Sequence, residues 1–456
     1  MEFKTEHMTL QDIDLTNYIA CDSGFDEILR SLEVYEALDD TNKQHLSLIT
    51  PGALNAICRY YRLEERHAER LQKGLMEIQN SSELRAIYTF LVWDLCRDKA
   101  GKEGDFYLSF RFVYKSVCPD CRKFLLLLSC LDPSEKLLQK RGVPKEYHTD
   151  IPGFRIGPQM EQYRTTDNCE VLDFPWDKNF YTRQIFLLDR FYFIPFSFGD
   201  PFRLYRRQGD GTAERNSFTK AVVGIYEKGY PVSRDGQLIA ETEDQIQKVQ
   251  KRETTNVSFY TDFAESEKEV YGTYMNPCGI LSTSQRRLDK SNWREALKSG
   301  DVLLALHVPG GEGYNVNRLQ HSMELALDFF DRYYPELSIK GFWSESWLYD
   351  NRLALLLDPS TNIVQVQRRY YNYSIGSDDE MLYREVWHTK KGNPGELVAR
   401  TSLQKKVLSA LEKGNHFCTT SMIVLREDVD LVERQMLYIT DEDWQEFCAV
   451  MKTGWK

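Results

Sequence analysis

The chain has 456 residues, too many for one ordinary hydrophobic core and enough for two or three domains. An apolar fraction of 42% and an aromatic fraction of 13% exclude a disordered chain. A formal net charge of −11, with no dense Lys/Arg block, argues against nucleic acid as a partner.

The opening MEFKTEHMTLQDIDL lacks the apolar core of a secretory leader, and the longest apolar run, FLLLLSCL from 124, falls far below the roughly 18–20 residues that span a bilayer. A soluble, cytoplasmic protein without membrane association is expected, its ten cysteines serving mostly as small apolar residues. Residues 1–140 read as helical. Leu71, Leu75 and Ile78, then Leu84, Ile87, Leu91 and Leu95, repeat at three and four, so each helix has one face to bury. KFLLLLSCL is apolar all round and reads as the central helix of that bundle. The pair Cys118 and Cys121 in CPDC lacks the second CxxC or nearby His pair that a structural zinc needs, and reads as a helix–helix turn; no metal is expected. The Pro/Gly-rich stretch RGVPKEYHTDIPGF, 141–154, marks a boundary and divides the chain into 1–150 and 151–456.

Beyond it, IFLLDRFYFIPFSF, KAVVGIYEKGYPVS and EVYGTYMNPCGIL carry the β-branched and aromatic residues of strands, with tight turns at EKGYP and SRDGQ. The cluster Arg203, Arg206 and Arg207 reads as a solvated strand edge, with anionic-ligand binding as the second reading. ETEDQIQKVQKRETT, 241–255, is polar and helix-prone. After 290 strands and helices alternate: a helix over 291–299 ended by Gly300, a strand over 302–308, a glycine loop, and a helix over 317–334 with Leu319, Met323, Ala326, Phe330 and Tyr333 on one face and Asn317 and Gln320 as its capping pair. A short strand near 339–344 follows, then a helix over SWLYDNRLALLL, strands over NIVQVQRRYYNYS and LYREVWH, and a helix capped by Thr401 and Gln404 and ended by Gly414. Ser346 reads as an N-cap and Trp347 as packing.

The common signatures are missing: no GxxxxGK[ST], GxSxG, HExxH or EF-hand loop, and Gly310, Gly311 and Gly313 do not fit GxGxxG. The informative stretch is HVPGGEGYNVNRLQHSMELALDFFDRYYPE. Glycines before a helix N-terminus let an anion reach main-chain N–H groups without a Cβ in the way, which suits a pyrophosphate, although Glu312 adds negative charge. His307 closes the preceding strand, where open α/β sheets place their chemistry, and an imidazole there can take a proton at neutral pH. The other readings are a histidine bonded to neighbouring main chain and an ordinary strand-to-helix loop. His321 and His388 read as structural or exposed.

This order of elements resembles the cofactor half of GNAT-type N-acyltransferases. The HVPGGEG loop with its helix, FWSESWLYDNRLALLLDPSTNIVQVQRRY and RTSLQKKVLSALEKG resemble a bacterial acyltransferase family that pairs an N-terminal helical domain with a GNAT-like C-terminal domain. The resemblance implies an α+β protein: a helical bundle over 1–150 followed by a GNAT-like mixed-sheet α/β domain over 151–456. It implies acyl-coenzyme A, held in a wedge between strands 302–308 and 339–344, with the pyrophosphate on Val308, Gly310, Gly311 and Gly313. It also implies direct attack by a small-molecule or peptide amine on the thioester, with His307 or Glu345 as base and Tyr349 as acid. The common GNAT loop starts with Arg or Gln, and this one does not. A non-catalytic coenzyme- or small-molecule-binding module on the same fold is the alternative, and a hydrolase or transferase with a covalent nucleophile ranks last for want of an elbow motif.

Overall fold

The computed structural model describes residues 10, 13–22, 25–39, 43, 46–97, 110–208, 221–240, 245–247, 249, 256–376, 379–431 and 438–454. It divides into two compact units, Met1–Leu187 and Leu188–Lys456.

The first unit is a helical bundle. Helices Glu65–Asn80 and Ser82–Cys96 bury the expected stripes: Leu71, Leu75, Ile78, Leu84, Ile87, Leu91 and Leu95 are all inaccessible. Arg122–Ser129 is buried around its whole circumference, from Phe124 to Leu128, as a helix without a polar face must be. CPDC forms a short turn leading into that helix, and its buried Cys118 thiol donates to the Arg70 carbonyl at 3.0 Å. The unit runs past the Pro/Gly stretch at 141–154 and takes in helices Gly153–Thr166 and Phe174–Tyr181.

The second unit contains two large sheets and a two-stranded pair, Pro231–Val232 with Phe259–Tyr260. One large sheet is antiparallel, built from β2 (Phe202–Arg207), β3 (Val222–Tyr226), β4 (Glu269–Asn276), β5 (Ile280–Asp289) and β6 (Trp293–Leu297), in the order β5-β4-β3-β2-β6, with the short strand Phe263–Glu265 also paired to β4. The other is mixed. It contains β1 (Phe191–Ser197), β7 (Val302–His307), β8 (Gly341–Ser346), β9 (Tyr371–Gly376) and β10 (Thr419–Leu425), in the order β9-β10-β8-β7-β1. Of the pairs formed among these five strands, β7–β8 is the parallel one; its crossover is α1 (Val316–Tyr333). Phe193, Leu304, Leu306 and Phe342 are buried on one side of this sheet, and α1 buries Leu319, Met323, Ala326, Phe329 and Phe330. The opposite side carries Tyr192, Ile194, Phe196, His307 and Trp343, all half-buried, and the exposed Glu345.

Several local expectations are overturned by tertiary context. Residues 291–299 are not a helix: β6 pairs antiparallel with β2, Trp293 opposite Arg207, so main-chain pairing outweighs the helix preference of WREALK. SWLYDNRLALLL is two 3-10 turns, Trp347–Tyr349 and Asn351–Leu355. The Ser346 hydroxyl accepts from the Leu348 amide and the Asp350 carboxylate from the Arg352 amide, and each diverts the chain from a continuous helix. Ser346 is thus an N-cap, as expected. NIVQVQ is a helix, α2 (Asn362–Gln367), before β9 begins, and LYREVWH lies in a helix, α3 (Glu380–Trp387), with Leu382 and Tyr383 buried. The cap of α1 is Asn315, not Asn317; its side chain accepts from the Arg318 amide at 3.0 Å. Thr401 and Gln404 do form a reciprocal capping box on α4 (Ser402–Glu412), but a further helix, α5 (Asp441–Gly454), follows it. The arginine cluster is not a solvated edge. Arg206 is buried against Asp428 at 2.6 Å, and Arg203 pairs with Glu265 and Glu295. Most of the polar stretch 241–255 lies outside the described residues.

Candidate functional site

The parallel pair β7–β8 separates as it runs. The two strands pair only through Leu304 with Phe342 and Ala305 with Trp343. Beyond that point β7 stays in register with β1 as far as His307 opposite Tyr192, while β8 stays in register with β10 as far as Ser346 opposite Thr420. Each strand thus keeps its outer partner and loses its inner one, which opens a V at their carboxyl ends. A V of this kind exposes unpaired main-chain N–H and C=O groups along both arms, where an extended ligand can bond to them.

The glycine loop leaves the β7 arm of the V. Gly311 and Gly313 adopt φ of 104° and 98°, a left-handed backbone that favours glycine. The cation that the loop's own sequence lacks comes from the turn before β1. Arg190 donates from Nε to the Glu312 carbonyl at 2.7 Å and from Nη2 to the carbonyls of Pro309 at 2.7 Å, Gly310 at 3.2 Å and Gly311 at 3.3 Å. Its neighbour Asp189 pairs with Arg318 at 2.5 Å and accepts from the Ser322 hydroxyl at 3.0 Å, fastening the same turn to the first part of α1. With four successive carbonyls turned toward one guanidinium, the loop has a carbonyl side and an amide side. No amide from Gly310 to Tyr314 donates to a protein acceptor among the described residues. Glu312 is exposed, and its carbonyl is held by Arg190.

The three expected catalytic side chains fall on two sides of the V. His307 and Glu345 share the open face, one on each arm, because strand alternation puts them with the paired residues Ala305 and Trp343. Burial pushes the His307 imidazole down to about 4, so it is neutral at pH 7 and a weak base. Glu345 is shifted up, first by desolvation and then by the charge of Asp200, with Arg384 opposing. Tyr349 lies on the other side with Ser344, fully buried, and donates to the Ser344 hydroxyl at 3.0 Å. Burial pushes it up to about 12 and keeps it a phenol. Beside it lie the buried hydroxyls of Tyr314, which follows the glycine loop and interacts with Tyr349, and Tyr370, which precedes β9 and makes no hydrogen bond.

Sequence reading missed Arg190, Asp189, Tyr314, Ser344 and Tyr370. The only local trace of the first two is a polar Asp-Arg pair inside an apolar strand run, IFLLDRFYF, and nothing local says what that turn touches. Among the described residues no helix is long and apolar enough to cross a membrane, and no cluster of three or more His, Cys, Asp or Glu could hold a metal ion.

A family model, the GNAT-like C-terminal domain, matches residues 234–423, which include both arms of the V, the glycine loop and Tyr349 but neither Arg190 nor Asp200. No curated protein matches the chain. Similar solved structures include an acyltransferase in complex with decanoyl-CoA and teicoplanin, at 14% identity and a TM-score of 0.46, covering 83% of this chain and 90% of that one. Another is an acyltransferase in complex with CoA and 10C-teicoplanin, also at 14% identity and a TM-score of 0.46, covering 87% of this chain and 95% of that one.

Proposed function

We propose that this chain, whose residues 234–423 match the GNAT-like C-terminal domain, is an acyl-coenzyme A-dependent acyltransferase whose acceptor is an amine. The observation that carries this reading is the splay of β7 and β8 beside a loop with free amides. The amides of Gly310, Gly311 and Gly313 would take the pyrophosphate, with the start of α1 adding its partial positive charge. The pantetheine arm would run into the V past Val308. The unpartnered hydroxyl of Tyr370 would then meet a polar atom of the ligand, which removes the cost of leaving it buried and unbonded.

In the reaction the amine nitrogen attacks the thioester carbonyl carbon; a C–N bond forms and the C–S bond breaks. Holding the two reactants in line supplies much of the rate. Glu345, on the open face, takes the proton the amine loses; its upward shift brings it nearer the working pH, which suits a base. His307 is the weaker candidate, because a site pushed down to about 4 holds a proton poorly. Tyr349, on the opposite face, stays protonated and would give its proton to the departing thiolate, with Ser344 fixing its direction.

Thermal denaturation of the full chain with acyl thioesters of increasing length tests the binding step, and release of free thiol on adding amines tests the chemistry. A ligand at about 100 times its Kd should stabilise by about 2.7 kcal/mol. No stabilisation by any acyl-coenzyme A at millimolar concentration contradicts the reading. Stabilisation without turnover for any amine favours the non-catalytic module.

A further inference from the structure

The open face beside the V carries a polar group that the reaction above does not use. Its floor is aromatic: Phe196 on β1 stacks on Trp343 on β8, with centroids 4.6 Å apart and an interplanar angle of 20°. The Trp343 indole N–H donates to the Tyr373 hydroxyl on β9 at 2.8 Å, and that hydroxyl donates in turn to the carboxylate of Asp200, which lies just beyond β1. Phe202 stands edge-on to Tyr373, with centroids 4.7 Å apart, and holds the ring in place. On β10, Ser421 is the cross-strand partner of both Glu345 and Tyr373, so it belongs to the same face. Its hydroxyl is fully buried and lies beside that of Tyr373.

The charges on this face are unbalanced. Asp200 and Glu345 are close enough for the charge of Asp200 to act on Glu345, and neither has an ion-pair partner within 4.0 Å among the described residues. The cation that acts on Glu345 is Arg384 of α3, which forms its closest pair with Glu385. His307 is neutral and contributes no positive charge. Burial also shifts Asp200 up, with the Tyr373 hydroxyl opposing. Asp200 is a half-buried carboxylate, and without a counter-ion its charge is costly unless a cation joins it. The elements present are two carboxylates above an aromatic floor, which together form a receptor for an alkylammonium group.

We propose that Asp200, aimed by Tyr373, is a specificity-determining residue of the acceptor site, and that the acceptor is a strongly basic aliphatic amine whose ammonium binds between Asp200 and Glu345 over Trp343. This rests on the acyltransferase reading and adds the substrate class to it. Asp200 holds the charged form of the acceptor before Glu345 removes a proton from it, so its effect falls on acceptor binding more than on the chemical step. Weakly basic amines, neutral at the same pH, lack the charge that this face is built to meet.

Calorimetric binding of 1,4-diaminobutane and of aniline to the full chain saturated with coenzyme A, in wild type, Asp200→Asn, Tyr373→Phe and Glu345→Gln, tests the proposal, with coenzyme A affinity measured separately in each. Loss of one charge-assisted contact should weaken the diamine by about 10–100-fold in Asp200→Asn, less in Tyr373→Phe, while aniline and coenzyme A are unaffected. Glu345→Gln, at an exposed position that the fold tolerates, should also weaken the diamine. Diamine binding equal in wild type and in the Asp200 and Glu345 variants, or no preference for diamine over aniline, overturns the proposal. Absence of coenzyme A binding in wild type sinks the acyltransferase reading instead, and a diamine site lost in Asp200→Asn would still stand on its own.

Discussion

Arg190 gives the sharpest test of the loop. Methionine there keeps an unbranched apolar stem and removes the four contacts to the carbonyls of Pro309, Gly310, Gly311 and Glu312. Three of those contacts share one nitrogen, so two well-formed charged hydrogen bonds are the fair count, both at 2.7 Å. A hydrogen bond to a charged group contributes about 1.5–3 kcal/mol, and partial exposure of the guanidinium places the pair together near the value for one. Without Arg190 the carbonyls of this loop are free to turn, and the amide side must be ordered by the ligand itself. Since about 1.4 kcal/mol is tenfold in affinity, Arg190→Met should raise the Kd for coenzyme A by about 10–100-fold. These bonds exist in the unliganded protein, so the melting temperature should also fall by about a few degrees. Arg190→Lys keeps the charge but not the fork, and should recover only part of the loss. Isothermal titration of each variant with coenzyme A reads this directly. A Kd for Arg190→Met within twofold of wild type, in a folded protein, would refute the idea that these carbonyls must be gathered for the amides to bind phosphate.

Two further predictions concern stability. His148, in the helical unit, is fully buried with both ring nitrogens unbonded, and burial first, then the charge of Arg183, shifts its pKa down. The unfolded chain therefore binds more protons below an ordinary histidine value of about 6.5, so stability is full above that pH and falls as pH drops through it. Denaturant unfolding from pH 7.5 to 5.0 should show that slope, and His148→Phe should flatten it; an equal slope in both proteins contradicts the assignment. Gly341 starts β8, where an added Cβ would lie 2.2 Å from the Val424 carbonyl oxygen and 3.0 Å from the Leu425 Cα of β10. Neither main-chain atom can step aside without parting β8 from β10, so Gly341→Ala should cost about 3 kcal/mol or more and lower the melting temperature by several degrees. An unchanged melting temperature would show that the pairing at this corner is looser than described.

Much of the fold is legible locally. Leu71 to Leu95 announce buried helix faces by their spacing alone, and Thr401 with Gln404 announces a helix start, because capping uses atoms three residues apart. The glycine loop is legible too, since only glycine fits readily where φ is positive, as at 311 and 313. The errors cluster where distant main chain decides: β6 is a strand because β2 lies beside it, and SWLYDNRLALLL breaks into turns where Ser346 and Asp350 bond back to main-chain amides.

His307, Glu345 and Tyr349 could be nominated from position along the chain, but not their arrangement. Which face each occupies follows from the register of β7 against β8 and from where that pairing stops, and a register is a relation between segments far apart in sequence. Arg190 reaches its loop across more than a hundred residues, and Asp200 reaches Tyr373 across a similar gap. Hydrophobic periodicity, capping and glycine placement act over a few neighbouring residues, so the order of residues along the chain is enough to settle them. Long-range pairing and side chains that cross between strands settle the V, its charge and its two sides, and these exist only once the chain has packed.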